Sequence, residues 1–234
     1  MPVIDNPAAI PAGADRAKLS LGFSPPGVHR MVAEALATRH PGGGTLLDIG
    51  CGHGGLWGVV ADQFHWYFGA DAIRYERFPP NAEFCTVDLD TGRVGLPDGF
   101  ADVVASVETI EHLENPRALF REVVRLTKPG GWAVVTTPNQ LNLLSKLTLV
   151  IKNHFTYFGR DWYPSHLTAL LEIDLRRMAT ECGLTEVAIV YGNPGRVVLT
   201  PRHFPRWVAQ RLPRACSENV LVIGRKPAVP EAAL

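Results

Sequence analysis

Between Thr45 and Val135 short runs of β-branched and apolar residues alternate with longer helix-like segments, and this alternation restricts the chain to repeated βαβ units on a mainly parallel sheet. The pattern predicts strands over 45–49, 66–70, 83–87, 101–107 and 132–137. Helices are predicted over 26–38, 55–63 and 116–127. The last of these has Asn115 as its N-cap, Pro116 in its first turn and Lys128-Pro129-Gly130-Gly131 as its stop. Beyond the fifth strand come an apolar insertion over 141–163, a helix over 167–182 ended by Gly183, and two more strands over 186–191 and 219–225. With 234 residues, 46% of them hydrophobic, the chain can bury a core as one α/β domain without disulfide or metal staples. That domain is placed at 26–226, with an N-terminal arm over 1–25, a lid-like insertion over 141–165 and a loose tail over 227–234.

Charge and cysteine usage narrow the function classes. Lys plus Arg and Asp plus Glu each total 23, so there is no global field to recruit a polyanion, which argues against a nucleic-acid partner. Cys51, Cys85, Cys182 and Cys216 form no C-x-x-C pair and read as reduced thiols of a cytoplasmic protein. Residues 1–15 are rich in Pro and Ala and lack a basic region followed by an apolar run, so they read as an arm rather than a signal peptide. No segment is both long and uncharged enough to span a bilayer.

The strongest local signal is Leu46-Leu47-Asp48-Ile49-Gly50-Cys51-Gly52-His53-Gly54-Gly55, a buried strand running into a glycine turn at the start of a helix. Gly50, Gly52 and Gly55 satisfy G-x-G-x-x-G, and Asp71 follows at the distance where a dinucleotide site places its ribose acid. By spacing alone, NAD fits. Asp48 discriminates against it, because a carboxylate just ahead of the loop would face a diphosphate with like charge and little water to screen it. It suits a cationic ligand instead. S-adenosylmethionine carries an ammonium and a sulfonium and no phosphate; Asp71 would then accept its ribose hydroxyls, Asp88 its adenine amine, and Leu89 would pack on the ring. Singly, each acid is equally well a turn or cap residue. Cys51 and His53 read as loop residues beside the ligand, without a chemical role.

With these motifs in hand, residues 26–226 resemble the class I methyltransferases. Leu47-Asp48-Ile49-Gly50-Cys51-Gly52 is similar to the family's first motif, Gly69-Ala70-Asp71 to its ribose acid, and Val87-Asp88-Leu89 to its adenine contact. Asp102 to Val107 is similar to the fourth strand, and Leu126 to Gly131 to the turn before the fifth. The resemblance implies a doubly wound, seven-stranded, mostly parallel α/β sheet with its last strand antiparallel and helices on both faces. It also implies S-adenosylmethionine as cofactor, held by Asp48, Gly50, Cys51, Gly52, Asp71, Ala72, Asp88, Leu89 and Val107. Ala70 and Ala72 flank Asp71 where the family often carries larger residues or Ser.

In an open α/β sheet the residues after the fourth strand face the ligand crevice, and here they are Glu108-Thr109-Ile110-Glu111-His112. On a helical turn Glu108, Glu111 and His112 share one face, a candidate Mg²⁺ or Mn²⁺ site with His166 as a further ligand. This pattern is similar to the metal site of small-RNA 2′-O-methyltransferases and to the same segment of quinone-biosynthesis O-methyltransferases. His112 and Glu111 are the candidate catalytic residues; the metal-free alternative has His112 acting alone as general base or only hydrogen-bonding the loop.

The insertion over 141–163 reads as a lid, an interfacial helix for lipid-borne substrates and peripheral membrane contact, or a packing or dimer element. Thr136-Thr137-Pro138-Asn139 with Asn142 also resembles methyltransferases of polysaccharide and glycolipid biosynthesis. The basic, aromatic stretch over 202–214 reads either as an RNA grip or as an amphipathic helix with Trp207, Val208 and Leu212 inward. The expected function is O-methylation of a small molecule, sugar or lipid precursor. An RNA 2′-O-methyltransferase and a dinucleotide-binding oxidoreductase are the rivals.

Overall fold

The computed structural model describes residues 13–198 and 200–228. Its sheet has seven strands: β1 (Thr45–Ile49), β2 (Trp66–Asp71), β3 (Glu83–Thr86), β4 (Ala101–Ser106), β5 (Thr127–Pro138), β6 (Thr185–Pro194) and β7 (Ser217–Arg225). They lie in the order β3-β2-β1-β4-β5-β7-β6. β1 to β5 pair in parallel, and β7 runs antiparallel to both β5 and β6. The seven-stranded, doubly wound sheet with an antiparallel last strand is therefore present as expected. Chain order reverses between β1 and β4, which opens a crevice beyond the strand ends there.

Side-chain alternation along the strands builds a core on each face. Leu46, Val103, Val134 and Leu221 pack on one side with Val28, Met31 and Leu36 of α2 (Pro26–Ala37). Leu47, Val104, Val135 and Val222 pack on the other with Leu119, Phe120 and Val123 of α4 (Pro116–Leu126) and Leu175 and Met178 of α6 (Glu172–Glu181). Strand period and buried helices on both faces give the near-continuous apolar runs of a parallel sheet. Between them, α3 (Trp57–Val60) is followed by a 3₁₀ turn at Ala61–Gln63 in the predicted 55–63 helix. Asn115 caps α4 as the sequence implies, its side chain accepting from Ala118 N at 3.0 Å.

Several boundaries depart from the expectation. β5 starts at Thr127, because the Lys128-Pro129-Gly130-Gly131 stop is taken into the strand as an irregularity between the Ala101 and Val103 pairings. α6 begins only at Glu172; the residues before it stay extended because Leu167 N and Thr168 N both donate to Glu111 O, at 2.9 and 3.0 Å. In the 202–214 stretch, α7 (Arg206–Arg211) and α8 (Pro213–Cys216) are too short to form one amphipathic face. Trp207 and Leu212, read as inward, are 66% and 59% exposed, and Ala209 is the buried residue of α7.

The arm is structured from Gly13 onward. α1 (Gly13–Ser20) lies over the sheet end: Arg16 is buried and ion-paired with Asp90, the Tyr75 hydroxyl donates to Ala17 O, and His53 N donates to Gly22 O at 3.1 Å. Residues 1–12 of the arm and 229–234 of the expected tail lie outside the described residues. Among the described residues no helix is long and apolar enough to cross a membrane.

Candidate cofactor and acceptor site

A cavity of about 1030 Å³ opens at the crevice beside β1 and β4. Asp48, Gly50, Cys51, Gly52, Asp71, Ala72, Asp88, Leu89 and Val107 all line it. Glu108, Glu111, His112 and His166 line it too, so every site residue expected from the sequence reaches one space.

At the glycine loop the geometry is set by two acids. Asp71, at the end of β2, accepts Gly52 N on one carboxylate oxygen at 2.8 Å and Ala72 N on the other at 2.7 Å. It therefore pins the loop and keeps a lone pair on each oxygen for a ligand. Burial pushes its carboxyl up, against the pull of the Gly52, Ala72 and Ile73 amides. Asp48 is 2% exposed; its Oδ2 accepts from the Tyr67 hydroxyl at 2.9 Å. Its Oδ1 is buried without a hydrogen-bond partner. Burial carries Asp48 up to about 7, the Tyr67 hydroxyl opposing and Asp71 adding to the rise. A buried, half-satisfied carboxyl at a cavity wall fits a ligand that brings a cationic donor.

Gly50 is required by conformation and space together. Its φ is +74°, and a Cβ there would lie 2.1 Å from Thr109 Oγ1. Gly50→Ala is expected to cost about 2–3 kcal/mol and to lower Tm by roughly 5–10 °C in a thermal melt. An unchanged Tm would show that the loop rearranges freely.

Asp88 is already engaged in part, accepting Gly13 N at 3.3 Å and Asp90 N at 3.1 Å. The first turn of α1 thus borders the expected adenine contact. Sequence reading missed the share of α1 and its following turn in the cavity wall, where Arg16, Leu21 and Phe23 stand. Gly22, whose φ is +57°, brings its carbonyl onto the glycine loop, accepting from His53 N.

At the other end the expected four-residue cluster divides. Glu111, His112 and His166 bring ligand atoms within 4.8 Å of one another. Glu108 does not join them. Its φ is +51°, so the helical turn begins only at Ile110, as a 3₁₀ turn over Ile110–His112. Its carboxylate is instead held by Thr136 Oγ1 at 2.8 Å and Asn219 Nδ2 at 2.7 Å, and burial raises it to about 7. Glu111 is 1% exposed and accepts from Thr137 Oγ1 at 3.2 Å; burial and then the charge of Glu108 push it well above the usual carboxylate range.

His112 Nδ1 donates to Ser165 O at 2.7 Å, which places the proton on Nδ1 and makes Nε2 the basic nitrogen of the neutral ring. Burial lowers its pKa, the Ser165 carbonyl resisting. The His166 ring stands edge-on to it, centroids 4.7 Å apart, with Phe158 and Trp162 packed around. His166 Nδ1 is buried without a partner, and burial lowers that ring to about 4. The lid reading divides as well: residues 157 and 161–166 wall the cavity, whereas α5 (Leu143–Lys152) stands outside it.

Comparison with known proteins agrees with this geometry. The family model described as "Methyltransferase domain" matches residues 26–187. A probable S-adenosylmethionine-dependent methyltransferase of Mycolicibacterium smegmatis is 28% identical over 193 residues, covering 81% of this chain and 71% of its own. A ubiquinone biosynthesis O-methyltransferase of Albidiferax ferrireducens is 32% identical over 108 residues, less than half of either chain at 42% of each. In fold, a SAM-dependent methyltransferase from Archaeoglobus fulgidus superposes with a TM-score of 0.61 at 18% identity, over 89% of this chain and 97% of that one. The dinucleotide reading is thereby overturned, and the reason is visible at Asp48, a buried acid where a diphosphate would need donors. The strand-end acids, the family match and the superposed fold converge on one conclusion: the chain belongs to the class I methyltransferases and uses S-adenosylmethionine as its cofactor.

Proposed function

We propose that this enzyme methylates an oxygen atom of a small molecule, sugar or lipid precursor in the cytoplasm, with His112 taking the acceptor's proton and the buried Glu111 carboxyl standing beside it. The observation that carries the reading is the pairing of a buried carboxyl and a buried imidazole at one end of a cavity whose other end holds the cofactor acids. Bound S-adenosylmethionine supplies an electrophilic methyl group. The protein's own part is positional: Asp48 and Asp71 fix the cofactor end, Ser165 O orients His112, and residues 157 and 161–166 wall the acceptor end. A base whose pKa is lowered by burial stays unprotonated at neutral pH, ready to receive a hydroxyl proton. The name of the A. ferrireducens relative supports oxygen as the acceptor atom, and the four free cysteines suit a reducing compartment.

A second reading rests on the same three side chains. Glu111, His112 and His166 offer one carboxylate and two neutral imidazoles, a donor set suited to Mg²⁺ or, better, Mn²⁺, with Glu108 turned away. Such an ion would acidify an acceptor hydroxyl, including an RNA 2′-hydroxyl. One assay series tests both: methyl-labelled S-adenosylmethionine with phenol, catechol, sugar and amine acceptors, run with EDTA and then with Mn²⁺. Label on an oxygen acceptor in EDTA supports the metal-free reading, and label that needs Mn²⁺ supports the second. Label on amines alone would overturn both.

A further inference from the structure

Helix α5 is built inside out. Its inward side is polar: Ser145 is wholly buried, donates to Gln140 Oε1 at 3.2 Å and accepts Thr156 N at 3.2 Å. Asn142, also buried, caps the helix by accepting Ser145 N at 2.7 Å. Its outward side is apolar. Val150 is 83% exposed and Ile151 69%, with Leu143 exposed on the same side. A surface helix ordinarily presents the opposite pattern, and an apolar outer face marks contact with something other than water.

Charge identifies what that contact is. Residues 141–163 contain one carboxylate, the exposed Asp161, against three exposed cations, Lys146, Lys152 and Arg160. Among the described residues no ion pair engages these three. Trp162 and Tyr163, 42% and 50% exposed, follow in the same insertion and line the cavity. Apolar side chains flanked by lysines, with Trp and Tyr close by, are the chemistry of the membrane–water interface. A second copy of this chain suits the face less well, since a two-fold contact through α5 would gather four lysines with no acid on the helix to meet them.

We propose that the outer face of α5, with the Trp162–Tyr163 rim, docks on an anionic lipid bilayer and turns the mouth of the cavity toward it. The docking is independent of which atom receives the methyl group.

The test is flotation of the full chain with vesicles of phosphatidylcholine alone, or with about one third phosphatidylglycerol. Binding is expected to the anionic vesicles only, and to weaken in about 0.5 M salt. Val150→Asp with Ile151→Asp is expected to reduce it about tenfold or more. Lys146→Gln with Lys152→Gln should reduce it by about fivefold per lysine, without touching the apolar face. Neither pair should change affinity for S-adenosylhomocysteine, because α5 stands outside the cavity; that affinity also reports that each variant is folded. No flotation with anionic vesicles by the unaltered chain would overturn the proposal. So would flotation that survives both pairs, or a concentration-dependent dimer abolished by the aspartate pair.

Discussion

Asp48→Asn is expected to move stability and cofactor binding in opposite directions. In the free protein Asp48 is held near 7 by burial, against 3.8 for an unburied aspartate. A carboxyl raised in this way favours the folded state while it is protonated, and that preference is lost as pH rises from about 4 to about 7. Above that window the folded chain carries the whole cost of the buried charge. Three pK units correspond to on the order of 4 kcal/mol. Asparagine removes that cost and can still accept from the Tyr67 hydroxyl, but it buries an amide N–H₂ where Oδ1 now has no partner, which costs about 1–3 kcal/mol. The net expectation at pH 8 is a gain of about 1–3 kcal/mol, seen as a Tm rise of roughly 3–8 °C. At pH 4 the gain should vanish. Affinity for S-adenosylhomocysteine should fall about 10- to 100-fold, because the amino group loses a charged acceptor. Thermal melts across pH 4–8 and calorimetric titration read the two effects separately. A variant that melts lower than the parent by the same amount at both pH values would show that the carboxylate is not the source of the strain.

His112→Ala is expected to lower turnover by about 10²- to 10⁴-fold while cofactor affinity stays within a few fold. The separation follows from placement, since Asp48, Asp71 and the glycine loop make none of the hydrogen bonds that hold His112. Glu111→Gln should show a smaller loss with the same signature. It preserves the bond from Thr137 Oγ1 and leaves the Glu111 carbonyl to receive Leu167 N and Thr168 N, so the wall of the cavity remains in place. Single-turnover transfer with saturating S-adenosylmethionine is the measurement. Turnover of His112→Ala within tenfold of the parent would remove His112 as the base.

The strand ends carried the clearest signal in the chain. Asp48, Asp71 and Asp88 all line one cavity because each follows a short apolar run, and a parallel sheet sends all such ends to the same edge. The acceptor end was harder to read. Grouping Glu108 with Glu111 and His112 assumed a helical turn from 108 onward, and the left-handed backbone at Glu108 breaks it. The inward placement of Trp207 and Leu212 assumed one continuous helix, which Leu212 and Pro213 divide into two short ones. The wall made by α1 was invisible because its anchors, Asp90 for Arg16 and Tyr75 for Ala17, lie 74 and 58 residues away.

By itself, then, the sequence determined the sheet, its two-sided core and the strand-end acids that line the cavity, since these follow from strand periodicity and from a glycine turn that acts over a few residues. The tertiary structure alone decided which acids meet which histidines. Glu108 is drawn aside by Asn219, 111 residues further on, and His112 is turned by Ser165, 53 residues on. Buried polar groups take whatever partners the packed fold brings within reach, and leaving one unpaired costs more than any local preference of the chain.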